Sequence, residues 1–142
     1  MSHYRYKAKP CIYRGVKYDS RLEMRMAKLL YENGVDFSHH VTFLGLEHQW
    51  IKKKFKYNVD FIFGTLSNRV TVKLKGMGKP YHCIEVKGAL TDRDLWRAKA
   101  LKNKHGLRTF IATPIMIDWW EREGLFWPAP EGEPSDGITL EE

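Results

Sequence analysis

Two cysteines occur in the 142 residues, Cys11 and Cys83, and they form no CxxC pair. That scarcity excludes a disulfide framework. A reduced, cytoplasmic protein follows as the default, with both thiols serving as small core residues. No apolar run approaches the roughly 20 residues of a membrane span. Met1 to Pro10 is polar and basic without an apolar stretch, so no secretory signal is expected. The chain has no P-loop, no Gly-rich dinucleotide turn and no G-x-S-x-G elbow, so no nucleotide cofactor is expected. It has no repeat of solenoid length and no low-complexity segment. The one histidine doublet, His39-His40, sits in a strand-like stretch. Adjacent side chains there point to opposite faces, so joint chelation, and with it a zinc site, is not expected.

What is present suits a single folded domain: 43% apolar and 29% charged residues. The net charge of +7 is unevenly spread. Residues 1–18 hold five bases and no acid, whereas residues 131–142 hold five acids and no base. Without that acidic end the body carries 24 bases against 12 acids. Clustered Lys and Arg displace condensed counterions from phosphates, so the natural partner is a polyanion such as nucleic acid. The domain is expected over 1–128, followed by an acidic, loose tail over 129–142.

The periodicity predicts a helix over Arg21–Asn33, stopped at Gly34, with Leu22, Met26, Leu29 and Leu30 as its apolar stripe. Phe37–Leu46 reads as strand-like or irregular. Tyr57–Phe63 alternates, placing Tyr57, Val59, Phe61 and Phe63 on one face and Asp60 on the other. Val70–Leu74 and Tyr81–Lys87 read as strands separated by the turn Gly76–Pro80. Thr91 and Asp94 start a second helix that ends near His105 before Gly106. A short strand, Arg108–Ala112, precedes Thr113-Pro114 and a last helix, Ile115–Glu123. The order is that of an α/β domain built on a single mixed sheet flanked by helices.

The chemistry centres on Asp60 and on Glu85-Val86-Lys87-Gly88. Residues two apart in a strand share a face, so Glu85 and Lys87 project together while Val86 turns to the core. If the strand of Asp60 lies beside this one, the two carboxylates converge. Ionised carboxylates about 4–6 Å apart repel, and a hard divalent cation resolves the repulsion. Such an ion activates water and stabilises charge on a phosphodiester, and Lys87 would support the transition state. Taken alone, the same spacing also suits the polar face of a half-exposed strand. Val72-Lys73-Leu74-Lys75-Gly76 repeats the pattern with Lys in place of the acid, and reads as a neighbouring strand.

Glu23 has two readings. Ser20-Arg21-Leu22-Glu23 is an S-x-x-E capping box. Yet Glu23 also flanks the apolar stripe, where a buried acid needs a partner. On the second helix Arg93, Arg97 and Lys104 share a stripe suited to a phosphate backbone. With Arg14, Lys17, Lys52, Lys53, Lys54 and Lys56 they are the expected DNA contacts. Trp119, Trp120, Phe126 and Trp127 are expected to pack rather than to stack on bases.

A Glu on the first helix, Asp60 on a strand, Glu85-x-Lys87-Gly88 on the next motif strand and then a basic helix together resemble the PD-(D/E)XK nuclease superfamily. More narrowly, Tyr18-Asp19-Ser20-Arg21-Leu22-Glu23 and the Lys-rich helix after Asp92-Arg93-Asp94 resemble the Holliday-junction resolvase and phage endonuclease I branch. The resemblance spans about residues 12–113. It implies a restriction-endonuclease-like αβββαβ core with a C-terminal helix. Asp60, Glu85 and the Val86 carbonyl would be metal ligands, Glu23 would hold a second metal or position water, and Lys87 would be the catalytic lysine. It further implies Mg2+ or Mn2+ as cofactor, a homodimer, and cleavage of branched DNA. One departure stands out: Asp60 and Glu85 are separated by 24 residues, about twice the usual spacing, so an additional strand or extended hairpin over Thr65–Pro80 must intervene. Its bases Arg69, Lys73, Lys75 and Lys79 would form a protrusion able to touch DNA. A nuclease acting on duplex or flapped DNA, and a non-catalytic nucleic-acid-binding module, are the alternatives.

Overall fold

The structure is a computed structural model that describes residues 10–127 and the backbone of 138–140. A two-stranded hairpin, β1 (Cys11–Tyr13) and β2 (Val16–Tyr18), leads into helix α1 (Arg21–Glu32). A long hairpin follows, β3 (Phe37–His48) and β4 (Ile51–Phe63). Then come β5 (Val70–Val72), β6 (Cys83–Val86), α2 (Asp92–His105), β7 (Thr109–Ala112), α3 (Pro114–Glu123) and β8 (Ile138–Leu140). The protein is α/β, with three helices around a mixed four-stranded sheet of order β3-β4-β6-β7. The first three strands are antiparallel, and β7 lies parallel to β6 across the α2 connection.

Both faces of this sheet are covered. Met26, Ala27 and Leu30 of α1, with Ile117 and Trp120 of α3, pack on Phe61, Phe63, Ile84 and Ala112. On the opposite face Ala100 and Leu101 of α2 pack with Tyr57, Val59, Ile62 and Cys83. Burying both faces explains the continuous apolar run Phe61-Ile62-Phe63 at the end of β4. Trp120 is fully buried and donates its indole N–H to the Lys75 carbonyl at 2.8 Å, so it is a core residue as expected. Of the two cysteines, Cys83 is buried, but Cys11 is only half-buried on the β1 edge.

Helix ends follow the local chemistry. Ser20 Oγ accepts the Glu23 N–H at 3.0 Å, and Gly34 takes a left-handed φ of 71° just past α1. Thr91 and Asp94 form a reciprocal capping box on α2, which stops at left-handed Gly106. These match the predicted boundaries to within a residue or two.

The 64–80 excursion departs from expectation. β5 does not join the four-stranded sheet. It bridges to Tyr81 through Val72 and pairs antiparallel with β8. Its bases do not form one free protrusion. The Lys75 ammonium is buried over the Trp119 and Trp127 rings and donates to the Glu123 carbonyl, while Arg69 donates to the His105 carbonyl at 2.6 Å. Lys73 and Lys79 are exposed. Apart from 138–140, the expected tail lies outside the described residues, as do the N-terminal bases Arg5, Lys7 and Lys9. No helix among the described residues is long and apolar enough to cross a membrane.

Candidate active site

With β5 set aside, β4 and β6 are direct neighbours. Their ladder consists of Ile62–Cys83 and Phe61–Ile84 and stops there. The next row would pair Asp60 with Glu85, and at that row the backbones no longer bond. Instead Asp60 Oδ2 accepts the Val86 N–H at 2.8 Å. The parting strands open a cleft of about 370 Å³, lined by Asp60, Glu85, Lys87 and Glu23, with Lys56 and Arg97 at its wall. Two larger hollows, of about 580 and 550 Å³, hold no comparable cluster of acids. The chemistry therefore places the site in the smaller cleft.

The expected alternation along β4 fails at this point. Tyr57 and Val59 pack toward α2, but Phe61 and Phe63 pack toward α1. Opposite Asp60 stands His40, in the left-handed region at φ 54°. Ladder pairs run His39–Phe61 and Val41–Val59, skipping the His40–Asp60 row. The interruption marks where the hairpin changes faces, and Asp60 falls at the change.

Glu85 is 3% exposed. Burial first, then the hydrogen bond and negative charge of Asp60, push its carboxyl up to about 9, against a smaller downward pull from Lys87. The buried Tyr57 hydroxyl lies in the same cleft and faces Glu85. Burial, followed by the charge of Glu85, holds its phenol above the ordinary range. Lys87 is about one-third exposed, and its ammonium stands 3.7 Å from Asp94 Oδ1 on the first turn of α2. Asp94 itself is buried, its Oδ2 held by the Thr91 N–H and hydroxyl. The capping box thus aims a fixed carboxylate oxygen at Lys87.

At Glu23 only half of the expected capping box is present. The Glu23 N–H is capped by Ser20, but its side chain does not close the box on Ser20. Oε2 accepts the Asp19 N–H at 3.2 Å, and Oε1 faces the Nε2 atoms of His39 at 2.7 Å and His40 at 2.5 Å. The expectation that His39 and His40 diverge is overturned. The left-handed backbone at His40 breaks the strand alternation, and the two rings stack at 3.7 Å between centroids. His40 Nε2 also lies 3.7 Å from Asp60 Oδ1, which links Glu23 to Asp60.

Not all the expected DNA contacts line the cleft. Lys56 and Arg97 do, whereas Lys52, Lys53 and Lys54 line the hollow of about 580 Å³ together with Lys99 of α2. Lys104 is committed to the β3 carbonyls of Gly45 and Leu44 at 2.9 and 3.4 Å. The Arg14 guanidinium lies 3.7 Å over the Tyr31 ring. Lys17 and Arg93 are exposed. Sequence reasoning missed Tyr57, Asp94, His39 and His40 as members of the site. Asp94 was legible only as a cap. No local signal announces a left-handed histidine. Comparison with protein-family models, curated proteins and solved structures finds no significant match.

Proposed function

We propose that the protein is a metal-dependent endonuclease of the PD-(D/E)XK kind, acting on DNA. The elements α1, β3, β4, β6, α2 and β7 run in the αβββαβ order of a restriction-endonuclease-like core. The observation that carries the reading is the open row of β4 and β6. Asp60 and Glu85 face one another there, Lys87 follows on the Glu85 face, and Glu23 enters from α1.

The residues fit a hard divalent cation. Two facing carboxyls, one of them pushed up to about 9 by burial and by its neighbour, describe a pocket short of positive charge. Asp60, Glu85 and the Val86 carbonyl would hold Mg2+ or Mn2+. The Val86 N–H points at Asp60, and a strand residue directs its N–H and C=O to the same side. When bound, the ion would supply Lewis acidity and a more acidic water.

The chain's own groups do the rest. Lys87 places a cation beside the acids to stabilise charge growing on the phosphate oxygens. Asp94, 3.7 Å away, orients the Lys87 ammonium. Arg97 and Lys56 at the cleft wall hold flanking phosphates. Among DNA substrates a four-way junction, cut by a homodimer, is the narrower proposal, and it rests on the family resemblance.

The test is cleavage, with Mg2+, of a four-way junction and of a linear duplex of equal length. Glu85→Gln and Asp60→Asn proteins serve as controls. Cleavage of the junction alone supports the narrow reading, and cleavage of both supports a general nuclease. Undiminished cleavage by either variant sinks the site.

A further inference from the structure

We propose that Glu23, His39 and His40 form a second cation site, one that takes an imidazole-seeking first-row metal of the zinc and cobalt class and not magnesium. It goes beyond the nuclease reading and stands independently of it.

Three ligand atoms converge: Glu23 Oε1, His39 Nε2 and His40 Nε2 lie within 4.8 Å of one another. Metal–ligand distances of about 2.0–2.2 Å set neighbouring ligand atoms about 3.0–3.4 Å apart, from octahedral to tetrahedral. The observed 2.7 and 2.5 Å between oxygen and nitrogens would have to widen by about 0.3–0.9 Å, within reach of small side-chain rotations.

The convergence is built at a cost. Left-handed backbone is strained at a residue other than glycine, and His40 adopts it at φ 54°. A ladder pair is skipped at the same residue. The outcome is that neighbouring imidazoles, which alternation would send to opposite faces, stack and present their Nε2 atoms together. Two of the three ligands, His39 and Glu23, are also held from behind. The His39 ring packs against Tyr18 at 4.5 Å and Phe61 at 5.5 Å. Glu23 is 3% exposed and pinned through Oε2 by the Asp19 N–H, so Oε1 is the oxygen on offer. Such support from behind the ligands is what metal sites use to fix orientation.

Charge points the same way. Around His40 Nε2 stand three carboxylates: Glu23 at 2.5 Å, Asp19 at 3.5 Å and Asp60 at 3.7 Å. A divalent ion answers this excess better than one imidazolium. Two nitrogen donors set its class, because imidazole suits zinc, cobalt and nickel, whereas magnesium keeps oxygen ligands and water. Asp60 lies between the two sites, with Oδ2 on the Val86 N–H and Oδ1 toward His40.

Cobalt(II) titration of the full-length, chelator-stripped protein tests this through visible absorption. One equivalent of Co2+ is expected to raise a nitrogen-ligated band, to be displaced by Zn2+, and to resist a hundredfold excess of Mg2+. Glu85→Gln should keep the band. His40→Asn, chosen because Asn tolerates positive φ, and His39→Gln should each weaken Co2+ binding at least 100-fold. Metal-free melting curves show that the variants fold. The proposal is overturned if the wild type raises no band, if Mg2+ displaces Co2+ at equal concentration, or if folded His39→Gln and His40→Asn proteins both keep wild-type affinity. The cleavage experiment with Glu85→Gln is unaffected by any of these outcomes, so the two readings fail separately.

Discussion

Val86 donates its backbone N–H to Asp60 Oδ2 at 2.8 Å, in the row just past the last β4–β6 backbone pair. A side chain has taken over the work of a ladder bond. The substitution orients the Asp60 carboxylate and keeps β6 close to β4 while the main chains part. Removing that acceptor leaves a strand N–H unmatched, so Asp60→Ala should cost about 1–3 kcal/mol in addition to any loss of activity. Asp60→Asn, which keeps an acceptor oxygen, should cost less. Urea midpoints of the two metal-free proteins decide between them.

Glu85 makes stability depend on pH in a stated direction. Its folded-state value, about 9, lies above the ordinary 4.5. Its favourable contribution is therefore complete below about 4.5 and is lost as pH rises toward 9. Glu85→Gln removes this dependence. In the presence of chelator, the melting temperature of Glu85→Gln should exceed that of the wild type by a margin that grows between pH 5 and pH 9. A constant margin would contradict the burial argument.

Metal binding at the Asp60–Glu85 pair should expel the Glu85 proton. At pH 7, calorimetry of Mg2+ or Mn2+ binding in two buffers of different ionisation enthalpy should show release of about one proton. Affinity should rise with pH up to the neighbourhood of 9. Binding without proton release would mean that the ion sits elsewhere.

Lys87→Ala should bind DNA within a few-fold of the wild type yet cut about 100-fold more slowly or worse, because its charge is used where phosphate charge develops. Asp94→Asn should keep most of the α2 cap and lose only the charge that aims Lys87, giving a smaller fall in rate. Single-turnover cleavage and filter binding separate the two quantities.

Ser20 and Glu23 separate cap from site. Ser20→Ala should cost about 1 kcal/mol through loss of the α1 cap. Glu23→Gln keeps the N–H that Ser20 caps. It should leave the α1 cap intact while slowing cleavage. Retained activity would remove Glu23 from the cleavage site and leave it a partner of Asp19 and the two histidines.

Much of this arrangement was legible in the sequence because it is local. Ser20, Gly34, Thr91 and Gly106 announce the ends of α1 and α2, and Glu85-x-Lys87 announces a shared face. What escaped depends on distant chain or rare backbone. The pairing of β5 with β8 joins residues about 70 positions apart in three-residue strands, too short to carry a pattern. Lys75 looked like a free cation because nothing in its neighbourhood foretells the Trp119 and Trp127 rings that cover it. Alternation placed Tyr57, Val59, Phe61 and Phe63 on one face because a regular strand was assumed through Asp60. The single dihedral at His40 broke that assumption and reversed the reading of the histidine doublet.

The same dihedral bears on how copies of the protein meet one another. β3 is a 12-residue strand at the rim of the described sheet, and an open rim of that length is ordinarily a template on which a second chain can add. Here it is cut into short pieces. His40 interrupts it, left-handed Gly45 follows, and register shifts come between Phe43 and Leu46 and again before His48. From Phe37 to Phe43 the register with β4 is constant but the pairing breaks at His40, and beyond Phe43 the register itself shifts twice. The bend that gathers the acids and imidazoles therefore also guards the rim against runaway strand addition.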